Sequence, residues 1–140
     1  MTTTTSSLEA VLPTAFAGMQ GVVSAYLFGS VAEGRAHHES DVDLGVLLSY
    51  GDYPRADTRF EARLVLISRL TSALGRDADV VILNDAPPQL ARHIMTNGQR
   101  VFLADAAADH ACLRTVLSRA ADIEPFLRRT RQVKLASLAR

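Results

Sequence analysis

The sequence predicts an α/β fold, in the looser α+β sense: a small mixed β-sheet with helices packed on it. Two patterns predict it. Short apolar runs of strand length, from Val22 to Phe28, from the Asp41/Asp43 pair onward and from Asp77 to Leu83, are bounded by turn residues, whereas several stretches between and after them repeat their apolar residues every three or four positions. With 48% apolar residues among 140, the chain can bury a core within the usual size of one domain.

Residues 1–6 are polar and of low complexity and are expected to be disordered, leaving residues 7–140 as the single domain. Leu8, Leu12, Ala15, Phe16 and Met19 mark a first helix, with Ser6 and Glu9 as a capping box. Pro13 either bends that helix or starts its better half. After Gly21, Val22–Phe28 forms the first strand, and Gly29 allows a close turn at its end. Ser30 and Glu33 fit a second Ser-x-x-Glu box opening a helix, and a helix start offers unpaired N–H groups to phosphate. In the loop that follows, His37 and His38 read as solvent-exposed rather than as metal ligands. Arg35 reads either as a residue approaching a triphosphate or as an ordinary surface arginine.

Asp41 and Asp43 are two apart at the head of the second strand, so their side chains leave one face while those of Val42, Leu44, Val46 and Leu48 leave the other. Adjacent carboxylates repel each other. A cation between them explains the pair best, and hard oxygen ligands supplemented by substrate phosphates suit Mg²⁺.

Tyr50-Gly51-Asp52 closes this strand. A long helix from about Arg55 to Leu74 is expected to bury Ala56, Phe60, Leu64, Ile67, Leu70 and Leu74, to keep its arginines and acids in solvent, and to stop at Gly75. In the third strand, Asp77–Leu83, a carboxylate at Asp79 is costly unless paired or bound to a cation. Asp79 reads as a third member of the Asp41/Asp43 group or as a surface cap, and a slip of two residues would put Asp77 in its place. Pro87 and Pro88 precede a short helix, Gln89–Thr96, ended by Asn97-Gly98, and Gln99–Leu103 follows as an edge strand. A C-terminal helical segment starts at about residue 106, capped by Asp105 and marked by Leu113, Val116, Leu117 and Ala120. Pro125 signals a kink or a new start.

Gly29, Ser30, ten further residues, then Asp41 and Asp43 resemble the Gly-Ser-x10-Asp-x-Asp signature of the nucleotidyltransferase superfamily related to DNA polymerase β. The small size, the Ala-x-Gly of Ala32 to Gly34 and the later Asp79-Val80-Val81-Ile82-Leu83 most resemble the minimal nucleotidyltransferase (MNT) domain, over roughly Ser7 to Phe126. That family is the antitoxin half of HEPN/MNT toxin–antitoxin pairs. The resemblance implies the nucleotidyltransferase fold, an acidic third ligand at Asp79, and two Mg²⁺ ions about 3.5–4 Å apart held by Asp41, Asp43 and Asp79. Gly29, Ser30 and Arg35 would then serve the nucleotide. It further implies that AMP is transferred from ATP to a tyrosine of a HEPN ribonuclease toxin, silencing it within a hetero-oligomer. Two rivals are a small-molecule nucleotidyltransferase of the aminoglycoside type completed by a partner subunit, and a non-enzymatic antitoxin that acts by binding. Retention of all three carboxylates favours an enzyme.

Composition narrows the rest. Fifteen basic and fifteen acidic residues give no overall positive field, so direct nucleic-acid binding is not expected. From Leu113 onward, however, seven basic residues face two acidic ones. The segment Phe126–Leu138 reads as a dock for the partner, with Phe126, Leu127, Val133, Leu135 and Leu138 as anchors among Arg128, Arg129, Arg131 and Lys134, or as a helix packed on its own domain. Cys112 is the lone cysteine, which fits a reducing cytoplasm. The uncharged N-terminal run is unlike a secretory signal, and no 18-residue apolar stretch predicts a membrane span.

Overall fold

A computed structural model of the chain describes residues 5–32 and 41–138, with side chains at 8–29, 32 and 41–130. The sequence readings at Glu33, Gly34, Arg35, His37 and His38, and those on the side chains of Ser6, Ser30, Arg131, Val133, Lys134, Leu135 and Leu138, lie outside the described residues.

The elements run α1 (Thr5–Ala17), β1 (Val22–Phe28), α2 (Gly29–Ala32), β2 (Val42–Leu48), α3 (Ala56–Leu74), β3 (Ala78–Ile82), α4 (Pro88–Asn97), β4 (Gln99–Leu103) and α5 (Ala106–Leu138). The described strands form one mixed sheet in the order β3-β2-β1-β4. β1 pairs antiparallel with both β2 and β4, and β2 pairs in parallel with β3 through the α3 crossover. Because strand side chains alternate, the sheet presents two apolar faces. Ala25, Leu27, Leu44, Val46 and Val80 pack with Leu8, Leu12 and Phe16 of α1 and Leu66 and Leu70 of α3. On the opposite face, Val23, Tyr26 and Leu47 pack with Ala91, Ile94 and Met95 of α4 and Val116 of α5.

Four sequence expectations need correction. The buried face of α3 carries Arg59, Ala62, Leu66 and Leu70, while Phe60 and Leu64 point outward, 56% and 49% exposed. The phase differs because Arg59 is not a solvated arginine. Its guanidinium donates through Nε and Nη2 to both oxygens of Asp85 at 2.9 Å and through Nη1 to the Tyr53 carbonyl at 2.9 Å, and it lies 5.3 Å from the centre of the Tyr50 ring. A planar fork matched to a carboxylate brings its hydrocarbon stem inside with it. Second, β3 is an edge strand and the Asp79 side chain is 56% exposed, so the cost of burying a carboxylate does not arise there. Third, α5 continues through Pro125, so the proline does not start a new helix. Just before the proline, Gln89 Nε2 donates to the Ala120 carbonyl at 3.1 Å and to Glu124 Oε2 at 3.3 Å, tying α5 to α4. The carbonyl that the proline leaves without its donor belongs to Ala121, an exposed residue. At the other end of the chain, α1 already includes Thr5 and Ser6, so Ser6 and Glu9 lie within the helix rather than at its cap.

One buried polar cluster fixes α5 against β1. Asp109, 4% exposed, accepts from Ser24 Oγ at 2.6 Å and from the Tyr26 hydroxyl at 2.8 and 2.9 Å, with Arg100 Nη1 at 3.3 Å. Burial, then the adjacent Asp109 carboxylate, hold the Tyr26 phenol well above its ordinary pKa, so it stays a donor.

Candidate active site

The carboxylates are brought together by strand register. Across three neighbouring strands, Phe28 of β1 stands opposite Asp43 of β2, and Asp43 stands opposite Asp79 of β3. Asp43 shares its face with Leu47, and Asp79 shares its face with Val81, both of which pack toward α4 and α5. Asp41 precedes β2 by one residue, and the Val42 N–H donates to the Asp77 carbonyl at 2.9 Å, which pins the start of β3 beside it. Asp77 itself is exposed at this end of β3.

Asp43 is the electrostatic centre of the group. Its carboxyl is pushed above the ordinary carboxylate range by burial first, then by the charges of Asp79 and Asp41. Gly29 gives it room. With φ of 79°, Gly29 occupies the left-handed region, and a Cβ on it would come within 2.5 Å of Asp43 Oδ2. The glycine thus makes the turn out of β1 and clears the space where that carboxylate oxygen lies.

Asp79 is held differently. Its Oδ1 accepts from Arg63 Nη2 at 3.1 Å and from the Val80 N–H at 3.0 Å, while Arg63 Nε donates to the Val80 carbonyl at 2.6 Å. Sequence reading assigned Arg63 to a solvated face. Its signal was the spacing of Arg59 and Arg63, four apart and flanking Ala62 on the buried side of α3. Among the described residues, no three carboxylate, imidazole or thiol groups converge closely enough to hold a metal ion. Asp41, Asp43 and Asp79 share one end and one face of the sheet, and in this conformation Asp79 is paired with Arg63.

The donor set fits a hard divalent cation. Its groups are all carboxylates, and the most buried of them already feels two like charges that a cation would relieve. Gly29 and the backbone of Ser30 open α2 directly beside Asp43. A cavity of about 240 Å³ lined by Tyr50, Leu83, Cys112, Thr115 and Arg119 lies toward the other end of β2 and β3, away from the carboxylates.

This fold and this placement of carboxylates define a nucleotidyltransferase domain. The chain belongs to the polymerase β nucleotidyltransferase family, which residues 12–107 match. It is 38% identical over 78 residues to protein adenylyltransferase MntA of Shewanella oneidensis, an alignment covering 55% of this chain and 51% of that protein. The chain therefore spans about half the length of the curated relative it matches. Among solved structures, it is similar to a toxin–antitoxin crystallised with AMP-PNP, at 26% identity and a TM-score of 0.67, covering 94% of this chain and 98% of that one. The fold is also shared with the complex of a tri-AMPylated Shewanella oneidensis HEPN toxin and MNT antitoxin, at 23% identity and a TM-score of 0.61, covering 94% and 96% of the two chains.

Proposed function

We propose that this chain is a Mg²⁺-dependent nucleotidyltransferase that transfers AMP from ATP to a tyrosine of a cognate HEPN ribonuclease toxin and thereby neutralises it. The observation that carries the reading is the cross-strand register of Asp43 with Asp79, with Asp41 beside them, in a chain of this family. Its relatives support the choice of donor and acceptor: one is named a protein adenylyltransferase, one was crystallised with AMP-PNP, and one accompanies an AMPylated HEPN toxin.

Asp41 and Asp43 would hold two Mg²⁺ ions, with Asp79 as the third ligand or as acceptor of the proton from the attacking hydroxyl. When bound, the metal supplies charge neutralisation at the triphosphate and at the attacking oxygen. Gly29 and Ser30 are assigned to the phosphates by the family's pattern, and Arg35 is assigned to the triphosphate by its charge. The acceptor oxygen bonds to the α-phosphorus in line, the α–β bridging bond breaks, and pyrophosphate leaves. The protein's part is to position the reactants and to exclude competing geometries. A cytoplasmic hetero-oligomer with the toxin is the setting this reading requires; among the described residues, no helix is long and apolar enough to cross a membrane. Phe126, 62% exposed on α5, belongs to the surface we assign to that partner.

The test is to incubate the protein with ATP, Mg²⁺ and the product of a neighbouring HEPN-type reading frame and to weigh the neighbour. A gain of whole AMP units, lost in Asp43→Asn, is expected. A tight complex that inhibits the neighbour without any mass change would favour neutralisation by binding. Truncation before Phe126 is expected to slow modification more than it affects ATP binding.

A further inference from the structure

We infer that Arg63 is a positioning residue that stores the third carboxylate, Asp79, on its guanidinium beside Asp43, and that loading the site with metal moves Asp79 from Arg63 to the cation. The inference rests on the metal-site reading above. Arg63 is placed for this by two bonds from one guanidinium, Nε to the Val80 carbonyl at 2.6 Å and Nη2 to Asp79 Oδ1 at 3.1 Å. The first anchors the fork to the backbone of β3. The second holds a carboxylate whose remaining partner is the N–H of the next residue, at 3.0 Å. In register Asp79 is a direct cross-strand neighbour of Asp43, yet no three-carboxylate group closes among the described residues.

The energies make exchange feasible. The Arg63 and Asp79 side chains are 32% and 56% exposed, so their pair is screened and weak, whereas a divalent cation attracts a carboxylate with twice the charge. Arg63 pairs with Asp79 while the charge of Asp79 already bears on Asp43, and it yields when a stronger cation arrives. Lysine would not reproduce this, since a single ammonium cannot bridge the Val80 carbonyl and Asp79 with a fixed fork.

A double-mutant cycle on the full chain tests it, with Mn²⁺ affinity read by electron paramagnetic resonance in the absence of nucleotide. Arg63→Gln is expected to tighten Mn²⁺ binding about two- to fivefold, the range set by an exposed ion pair. The same substitution in an Asp79→Asn background is expected to give no such gain, because no stored carboxylate remains to be released. Arg63→Lys, which keeps the charge but loses the fork, is expected to show part of the gain. Unchanged affinity in Arg63→Gln, or a gain that persists in the Asp79→Asn background, would overturn the storage role and leave only a general charge effect. Asp43→Asn that binds Mn²⁺ as well as the native chain would instead overturn the metal site itself, so the two failures are distinct.

Discussion

Replacing Gly29 with alanine should separate the backbone role of this residue from its role beside Asp43. At φ of 79°, an L-residue costs about 1–2 kcal/mol relative to glycine. The added Cβ would lie 2.5 Å from Asp43 Oδ2, where ordinary contact begins at 3.4 Å, so the carboxylate must retreat by roughly 1 Å. That retreat costs only about 0.5–1.5 kcal/mol, because the end of a side chain moves rather than the backbone. The total is about 1.5–3.5 kcal/mol. Gly75 is an internal control: its φ is 68° and a Cβ there meets nothing within 4 Å, so Gly75→Ala reports the backbone cost alone. Urea unfolding of both variants should show Gly29→Ala the less stable by no more than the carboxylate term. Turnover should behave quite differently, falling about a hundredfold in Gly29→Ala, as a 1 Å misplacement of a reacting group does, and holding in Gly75→Ala. Equal turnover in the two variants would refute the claim that Gly29 makes room for a working carboxylate.

The remaining expectations are shorter. Asp43 has its carboxyl pKa raised in the folded chain, so protonation favours folding: its favourable contribution is complete below the unfolded pKa and is lost as pH rises through the folded one. In EDTA, the stability of Asp43→Asn relative to the native chain should therefore grow from acid toward neutral pH and then level off, and a pH-independent difference between their urea midpoints would contradict this. Asp79→Asn should lose turnover while largely keeping ATP binding, measured by steady-state kinetics alongside nucleotide titration; unchanged turnover would shift the third-ligand role to Asp77. Asp85→Asn should destabilise the fold by about 2–3 kcal/mol, below the usual cost of breaking a fully buried pair because Asp85 is 40% exposed. A loss under about 1 kcal/mol by chemical denaturation would mean that the Tyr53 carbonyl and the Tyr50 ring satisfy Arg59 on their own.

The strands were legible because they obey short-range rules. Val22–Phe28 and Gln99–Leu103 are apolar or alternating runs closed by turn residues, and they form β1 and β4 at those boundaries. The spacing of Asp41 and Asp43 likewise sets a shared face by local geometry alone. What escaped depends on pairs that only the fold brings together. Arg59 and Asp85 are 26 residues apart, and without Asp85 an arginine between Thr58 and Phe60 reads as solvated while Phe60 and Leu64 read as core. Arg63 was hidden for the same reason, its partner lying 16 residues away on an edge strand. Asp109 left a clue that was not used: Ser24 and Tyr26 are polar groups inside an otherwise apolar strand, and such groups require a partner from elsewhere in the chain.

The cluster at Asp109 also has a mechanical meaning. Four donor contacts from β1 and β4 converge on one carboxylate near the start of α5, so the helix cannot slide by a turn or roll about its axis without stranding a buried charge. Among its described side chains the last fully buried one is Ala120, and the eighteen positions that follow to Leu138 extend roughly 27 Å at the rise of an α-helix. A rod clamped at one end transmits bearing as well as position. Whatever grips its far half is delivered to the sheet at a set angle, and turning Asp109 into an apolar residue would leave that angle to the packing of Val116 and the Gln89 tether alone.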